Sequence, residues 1–333
     1  MKFYLAPMEG ITGYVYRCAS HQLFPYIDRY FTPFITPNQT RKLTSREMND
    51  ILPEHNQGMA VIPQILTNQA ADFLWAAGKC KELGYQEVNL NLGCPSGTVV
   101  SKHRGAGFLA LPRQLDEFLY RVSAGMEKLD MCLSIKTRIG KEQPEEFAEL
   151  LEIYNHYVLA EVIIHPRVQT DYYKNHPNLD VFREALLTSR NPVCYNGDIF
   201  NKESYLLFQQ QFPPVDRIML GRGVIANPGL VMELKTGQRM TKEQLMAFHD
   251  AVLTGYRAVI SGDRNVLFKM KELWFYLGTL FTESGREAAG KNIKKIKKAT
   301  TMIDYEAAVA RLFAEQDLKD EKSKEAGYNE QYD

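Results

Sequence analysis

Amide, cationic and imidazole side chains follow several short apolar runs of this sequence, in pairs two residues apart. The pairs are Asn89 with Asn91, Lys136 with Arg138, and His165 with Arg167. Side chains two residues apart lie on the same face of a β-strand, so each pair would point to one side of its strand. If those faces meet, cations, an imidazole and amides surround one pocket, an environment that favours an anionic cofactor or intermediate.

Two glycine-containing segments follow the last two apolar runs. They are Asn196-Gly197-Asp198 and Gly221-Arg222-Gly223. In many α/β barrels, backbone N–H groups of the loops at this place bind a phosphate group. The two segments therefore predict a phosphate-binding end to the pocket.

These candidate residues need a scaffold that brings the ends of several strands together. Apolar, β-rich runs recur about every 30 residues, and amphipathic stretches of helical length separate them. The eight runs are residues 3–6, 30–34, 60–66, 87–92, 131–138, 161–165, 193–196 and 217–220. Helical candidates include residues 70–83, 112–128, 144–157, 179–189 and 202–212. This alternation predicts a (β/α)8 TIM barrel, in which reactive residues lie at the carboxyl ends of the strands.

The sequence changes character after Gly237, where the strand pattern stops. Thr241 followed by Gln244 has the form of a capping box, and apolar residues such as Leu245 and Phe248 then recur at helical spacing. We predict an all-helical domain over residues 238–315, after a catalytic barrel over residues 1–237. Residues 316–333 are charged and poor in apolar residues, so we expect them to form a disordered tail.

Composition limits the class of protein and its partners. The chain has 333 residues, and its 40 Lys and Arg balance 40 Asp and Glu, so a nucleic-acid partner would need a local basic patch. The five cysteines include no C-x-x-C pair, which disfavours a disulfide framework and a bound metal and favours a reducing compartment. No window is long and apolar enough for a membrane span or a signal peptide. We expect a cytoplasmic monomer that contacts no membrane.

Six motifs resemble, in order and spacing, those of the tRNA-dihydrouridine synthase family. They are Leu5-Ala6-Pro7-Met8-Glu9-Gly10, Asn91-Leu92-Gly93-Cys94-Pro95, Arg104-Gly105-Ala106-Gly107, Lys136-Thr137-Arg138, Asn196-Gly197-Asp198 and Gly221-Arg222-Gly223. The resemblance covers the barrel and, more weakly, the helical domain. It implies FMN-dependent reduction of particular uridines in tRNA to 5,6-dihydrouridine, with NADPH as the electron donor.

The resemblance also implies roles for individual residues. Flavin contacts fall on Pro7, Met8, Glu9, Gln64, Lys136 and His165, and phosphate or ribityl contacts on Asn196, Gly197, Asp198, Gly221 and Arg222. Asn91, Arg138 and Arg167 match positions at which the family contacts uracil or the adjoining substrate.

Cys94 is predicted to be the catalytic acid. Hydride transfer to C6 of uracil builds negative charge, and a proton must then reach C5. A thiol with an ordinary pKa of about 8.5 is protonated at neutral pH and can supply that proton. Lys136 near the flavin would stabilise its reduced, anionic form. The loop of residues 93–108 carries Cys94, and we expect it to close over the extruded base.

The segment of residues 286–298 has six basic residues and one acidic residue. Its residues Lys291, Lys294, Lys295 and Lys298 fall three or four positions apart, which places them on one face of a helix. Such a face is suited to the phosphates of a folded RNA, so we predict that these lysines bind tRNA.

Two alternative functions are open at this point. One is a flavin barrel that reduces a free pyrimidine, as a dihydroorotate dehydrogenase-like enzyme would, although the basic helix would then have no obvious use. The other is a tRNA-binding factor without catalytic activity, and the presence of Cys94 with the whole set of flavin contacts argues against it.

Overall fold

The computed structural model describes residues 1–38, 40–281 and 286–319. Its strands are β1 (Lys2–Leu5), β2 (Arg29–Phe31), β3 (Val61–Ile62), β4 (Gln64–Ile65), β5 (Glu87–Leu92), β6 (Cys132–Arg138), β7 (Val162–His165), β8 (Val193–Asn196) and β9 (Arg217–Leu220). They form one sheet in the order β3-β2-β1-β9-β8-β7-β6-β5-β4, and every paired ladder is parallel.

The third predicted strand is split at Pro63 into β3 and β4. Proline has no N–H group and cannot donate to a ladder, so the pairing changes partner there. β3 pairs with β2, with Tyr30 opposite Val61, and β4 pairs with β5, with Gln64 opposite Asn89. The two outer strands of the sheet are therefore consecutive in the chain, and the sheet is a nearly closed barrel. The predicted (β/α)8 architecture is confirmed, with one strand in two pieces.

Helices follow the strands as the sequence pattern predicts. Those within the barrel sequence are α1 (Tyr14–Leu23), α2 (Ser45–Ile51), α3 (Ala70–Glu82), α4 (Gly97–Val100), α5 (Pro112–Lys128), α6 (Glu146–Asn155), α7 (Leu179–Thr188), α8 (Lys202–Gln211), α9 (Arg222–Ala226) and α10 (Leu230–Thr236). The predicted helical region contains α11 (Lys242–Val259), α12 (Asp263–Leu277), α13 (Arg286–Lys298) and α14 (Met302–Glu315). No helix in these described ranges is long and apolar enough to cross a membrane.

The chain divides into two compact units, each built from separate segments. Among the described residues, one unit contains those of 1–9, 28–198 and 207–221, and with them all nine strands named above. The other contains those of 10–27, 199–206 and those from 222 onward. This division differs from the predicted boundary at residue 237. The reason is visible in α1, whose Tyr16 packs edge to face on Phe248 of α11 with ring centroids 5.4 Å apart.

The barrel unit has an apolar core that several strands share. Tyr4, Phe31, Ile62, Ile163, Cys194 and Met219 belong to one buried cluster with Ala6. At β5 all six residues are buried, because a parallel barrel strand is covered on both faces. The polar residues Asn89 and Asn91 alternate there with Val88, Leu90 and Leu92, so amide side chains occupy one buried face of the strand.

The second unit has a polar chain inside its aromatic core. Trp274 Nε1 donates a hydrogen bond to the Tyr305 hydroxyl at 2.7 Å, and His249 Nε2 lies 2.7 Å from the same oxygen. At the start of α11 the predicted capping box is present: Gln244 N donates to Thr241 Oγ1 at 3.2 Å, and Thr241 N donates to Gln244 Oε1 at 3.0 Å. The capping box agrees with the start of the helical region that the sequence predicts.

Residues 316–319, which we expected to begin a disordered tail, are ordered. Leu318 forms a β-bridge with Phe281, and Lys319 N donates to Leu280 O at 2.7 Å. Backbone pairing holds this short segment, although its composition is mostly polar. The rest of the predicted tail, residues 320–333, lies outside the described residues.

Candidate active site

A directional chain of amide side chains crosses β4, β5 and β6. Asn91 Nδ2 donates to Gln64 Oε1 at 2.7 Å, and Gln64 Nε2 donates to Asn89 Oδ1 at 2.8 Å. Asn89 Nδ2 in turn donates to Ser134 Oγ at 2.9 Å. Gln64 and Asn89 are fully buried. Each amide is thus fixed in one orientation, and the chain leaves the oxygen of Asn91 directed to the segment after β5.

Cys94 is held by this chain through its backbone. Gly93 N and Cys94 N donate to Asn91 Oδ1 at 3.0 and 2.9 Å. The thiol is half-buried, and burial is the largest of the effects that raise its pKa above the ordinary value. Ala106 N donates to the carbonyl oxygen of Cys94 at 3.0 Å. At neutral pH this arrangement presents a protonated thiol on a fixed backbone.

Part of the loop around Cys94 is packed into the protein. Residues 105–109 are buried in a 3-10 helix, Gly105–Ala110, which belongs to the loop we predicted to close as a whole. Gly105 has a φ of +55°, and a Cβ atom there would lie 2.8 Å from the Cys94 carbonyl oxygen. The exposed part of the loop is therefore limited to the turn around α4.

Lys136 lies on β6 directly beside Asn91, its partner in the parallel ladder. Burial is the main cause that lowers the pKa of its ammonium group to about 8, and the charge of Arg138 adds to this effect. Among the described residues, no hydrogen-bond or ion-pair partner of Nζ is found. A half-buried cation in this state favours an anionic or carbonyl partner.

Arg138 ends β6 and is 1% exposed. Its Nε donates to Gly93 O at 3.1 Å, its Nη1 to Val168 O at 2.7 Å and its Nη2 to Tyr172 O at 2.5 Å. Tyr172 has a φ of +51°, which is unusual for a residue with a side chain. Arg138 therefore links the segment after β5 to the loop after β7 and holds that loop in its turn. The contact of Arg138 with substrate stays a prediction.

His165, Arg167 and Asp198 form a second polar group at the ends of β7 and β8. Arg167 Nη1 lies 3.1 Å from His165 Nε2, and the same guanidinium binds both carboxylate oxygens of Asp198. His165 is opposite Arg138 in the ladder between β6 and β7. The predicted residues of strands β4 to β8 are thus brought to one end of the barrel.

The two glycine segments are set by close packing. A Cβ atom at Gly197 would lie 2.0 Å from the Tyr195 hydroxyl, so only glycine fits there. Asn196 Nδ2 donates to Met219 O at 2.9 Å, which joins β8 to β9. A Cβ atom at Gly221 would lie 3.8 Å from Met8 Sδ, so Gly221 and the half-buried Met8 are neighbours.

Other predicted residues are placed differently. Glu9 is exposed and forms an ion pair with Arg46 of α2, so its carboxylate is engaged at the surface. Pro7 before it is half-buried. Arg222 belongs to the second unit, where its guanidinium lies 5.2 Å from the ring centroid of Phe200.

The four predicted lysines of α13 do come together. Lys291, Lys294, Lys295 and Lys298 line one groove of about 660 Å³ between α13 and α14, and Arg311 of α14 also lines it. Asp304 is the acidic residue in this lining. Arg311, which forms an ion pair with Glu315 at 3.3 Å, is a basic residue that the sequence pattern did not single out.

A family model described as "Dihydrouridine synthase (Dus)" matches residues 4–308. The chain belongs to this family. The match includes the barrel strands, the Cys94 segment and the helices through the first half of α14, so the predicted family is confirmed.

Curated relatives carry the same family name. A "Probable tRNA-dihydrouridine synthase" of Staphylococcus epidermidis is 26% identical over 251 residues, covering 73% of this chain and 74% of the relative. A protein of the same name from Staphylococcus aureus is 25% identical over 264 residues, covering 76% and 78%. The "Probable tRNA-dihydrouridine synthase 2" of Bacillus subtilis is 27% identical over 251 residues, covering 73% and 74%.

Solved structures show the same fold at low identity. Morphinone reductase matches with a TM-score of 0.52 and 13% identity over 74% of this chain and 88% of the reductase. Histamine dehydrogenase from Rhizobium sp. 4-9 matches with a TM-score of 0.52 and 12% identity, over 77% of this chain and 48% of the dehydrogenase. These likenesses show the TIM-barrel fold alone.

Proposed function

We propose that this protein is an FMN-dependent tRNA-dihydrouridine synthase with NADPH as reductant. In the overall reaction a hydride equivalent from NADPH and one proton convert the C5–C6 double bond of a uridine to a single bond. FMN, when bound, supplies the hydride that adds to C6. The protein's own residues must hold the base, stabilise the developing charge and deliver the proton to C5.

The observation that carries the proposal is the position of Cys94 next to Asn91 and Lys136. Asn91 fixes the backbone of Cys94 and is the ladder partner of Lys136, so an acid and a cation lie at the end of adjacent strands. The raised pKa of the Cys94 thiol keeps it protonated at neutral pH, as a general acid requires. When the thiol gives its proton to C5 it becomes a thiolate, and solvent must reprotonate it before the next turnover.

The residues near the strand ends fit FMN in two respects. The Lys136 ammonium has no partner among the described residues and would bind the negatively charged edge of a reduced flavin ring. Gln64 keeps one amide N–H beyond the bond that it donates to Asn89, and this N–H is suited to a ring carbonyl. Asn196, Gly197, Asp198 and Gly221 would hold the ribityl and phosphate groups.

The groove between α13 and α14 would bind tRNA phosphates. Four exposed lysines and Arg311 line it, opposed by Asp304, so it has a net positive charge although the whole chain is neutral. Phosphate contacts of this kind supply affinity that does not depend on base sequence.

The deciding experiment is the mapping of dihydrouridine at each tRNA position in cells with and without this gene. Loss of the modified base at defined positions supports the proposal and names the target. The purified protein, reconstituted with FMN, should then reduce the same positions in unmodified tRNA when NADPH is supplied.

A protein with Cys94→Ala serves as the matched inactive control in both assays. Reduction of free uracil or orotate by the purified protein, with no change in tRNA, would replace the proposal by the free-pyrimidine alternative. A normal pattern of dihydrouridine in the deletion strain together with no activity in vitro on tRNA would overturn it.

A further inference from the structure

Arg167 is buried and its guanidinium is fully engaged by the protein. It is 1% exposed. Nε lies 3.1 and 3.2 Å from the carbonyl oxygens of Lys174 and Asn175, and Nη2 donates to Asn175 O at 2.7 Å. Nη1 and Nη2 donate to the two carboxylate oxygens of Asp198 at 3.0 and 2.5 Å. This pattern leaves little donor capacity for the substrate contact that the sequence predicts.

The remaining contact of Arg167 determines the protonation state of His165. Nη1 lies 3.1 Å from His165 Nε2. A guanidinium is always protonated and has only donors, so Nε2 must be the acceptor. An imidazole with an unprotonated Nε2 is neutral and carries its proton on Nδ1. Arg167 is therefore compatible with only one of the three forms of this histidine.

The charged groups around His165 also favour its neutral form. Arg138 is its ladder partner on β6, and Arg167 follows it on its own strand end. Asp198, after β8, has both oxygens bound to Arg167, and the ring of Tyr173 lies 6.3 Å from the imidazole centroid. A proton added at Nε2 would meet the Arg167 guanidinium, so the cationic form is opposed by contact as well as by charge.

We propose that Arg167 is a positioning residue that locks His165 in the neutral form with the proton on Nδ1. The same side chain fixes Asp198 and the backbone at residues 174–175, so it aligns the ends of β7 and β8 as one unit. The inference about the histidine is independent of the cofactor. Its consequence in catalysis rests on the proposed function, because a His165 that stays neutral presents an uncharged N–H donor over the whole working pH range.

The test is ¹⁵N nuclear magnetic resonance of histidine-labelled, full-length protein, with His165 assigned by its absence in a His165→Gln variant. In the wild type we expect Nδ1 to be protonated, Nε2 to be unprotonated, and no titration of this ring near the ordinary pKa of about 6.5. This measurement needs no variant of Arg167. A protonated Nε2 at pH 8, or titration near the ordinary value, would overturn the proposal.

Variants of Arg167 give a second readout. Arg167→Met should restore titration of His165 near pKa 6.5, so that about nine-tenths of the ring is protonated at pH 5.5. Arg167→Lys retains a cationic donor, so a larger fraction of His165 should stay neutral at pH 5.5 than in Arg167→Met. Arg183→Met on α7 is the matched control, since Arg183 pairs with Asp180 on the surface and should leave His165 unchanged. Equal His165 spectra in wild type and Arg167→Met would contradict the assigned role.

Activity then separates this inference from the proposed function. Between pH 8 and pH 5.5 the kcat of Arg167→Met should fall about ten-fold more than that of the wild type, as the neutral form is lost. A higher kcat at pH 5.5 in Arg167→Lys than in Arg167→Met supports a positioning role rather than a general loss of structure. If the wild type reduces no tRNA, the proposed function fails, while the spectrum of His165 still decides the inference.

Discussion

The side-chain oxygen of Asn91 accepts a hydrogen bond from the backbone N–H of Cys94 at 2.9 Å. This bond connects the proposed catalytic acid to a buried amide chain that continues through Gln64 to β6. The thiol position therefore depends on residues in three adjacent strands. A change at Gln64 or Asn89 should therefore move Cys94 although neither residue is hydrogen-bonded to it.

Replacement of Asn91 by alanine should lower the rate of uridine reduction by about two orders of magnitude, because a displacement of about 1 Å at the reacting group has that effect. The flavin content should change little. The rate is best measured in single turnover, with reduced protein in excess over tRNA. Asn155→Ala is the matched control: Asn155 also binds backbone groups through both amide atoms, at Thr188 and Arg190, on another side of the barrel. Equal losses in the two variants would count against the role of Asn91.

The sequence could predict the parts of the fold that depend on local periodicity. Buried strands at regular spacing predict the barrel, and Thr241 with Gln244 marks the first residue of α11. The split of the third strand was not predicted, although Pro63 is its cause. A run that is apolar on both sides of a proline looks continuous, and only the partner strands reveal that pairing changes there.

The sequence could predict which motif residues belong to the site, but not the interactions among them. Motif residues such as Gln64, Asn91 and Lys136 do lie at adjacent strand ends. The direction of each hydrogen bond in the amide chain and the ion pair of Arg167 with Asp198 depend on distances between strands. No sequence pattern encodes those distances. One sequence signal pointed to a structural role for Arg167: a polar loop with two adjacent tyrosines, Tyr172 and Tyr173, follows it. In the structure both tyrosines are exposed and Arg167 is buried.

Cys94 should be distinguishable from the other cysteines by chemistry and by activity. Cys94→Ala should lower the rate of reduction by about 10²–10⁴-fold, the range of a lost general acid. Because burial raises its pKa, the Cys94 thiol should react with iodoacetamide more slowly at pH 7.5 than the exposed Cys132. Cys132→Ala is the control for activity and should reduce tRNA normally. A Cys94→Ala protein with the wild-type rate would rule out the thiol as the acid.

Lys136 should be the most reactive buried amine of the flavin-free protein near pH 8. With a pKa of about 8, half of its side chains are neutral at that pH, whereas a lysine of ordinary pKa is neutral in well under about 1% of molecules. Brief acetylation with acetic anhydride across a pH series, followed by peptide mass spectrometry, should give a midpoint near 8 for Lys136. The peptide of the exposed Lys128 serves as the reference. Added FMN should protect Lys136 and leave Lys128 unaffected. Lack of protection would argue against a flavin at this strand end.

Glu161 should make the barrel less stable as pH rises through neutrality. It is 1% exposed, and burial and the nearby Glu87 raise its pKa to about 7 against the opposing charges of Arg29 and Arg217. The folded state then holds a proton that the unfolded chain, with a pKa near 4.5, has already released. Stability from this group is complete below pH 4.5 and is lost as the pH passes 7.

The comparison of wild type with Glu161→Gln isolates this effect. The difference in unfolding free energy, wild type minus variant, should fall by up to about 3 kcal/mol between pH 4.5 and pH 8. Urea denaturation at each pH provides the measurement. Glu152→Gln, at an exposed site on α6, should show no such trend. A difference that is constant with pH would show that Glu161 is ionised throughout.

The basic groove should control the salt dependence of tRNA binding. Changing Lys294, Lys295 and Lys298 to Glu removes three of the cations that line it, so fewer counterions are released on binding. The slope of log Kd against log salt concentration should become less steep by about 2 to 3, and flavin content should not change. The matched control changes the exposed Lys42, Lys128 and Lys202 to Glu, with the same alteration of net charge. If both triple variants alter the slope equally, the effect comes from total charge; an unchanged slope in the groove variant would mean that tRNA binds elsewhere.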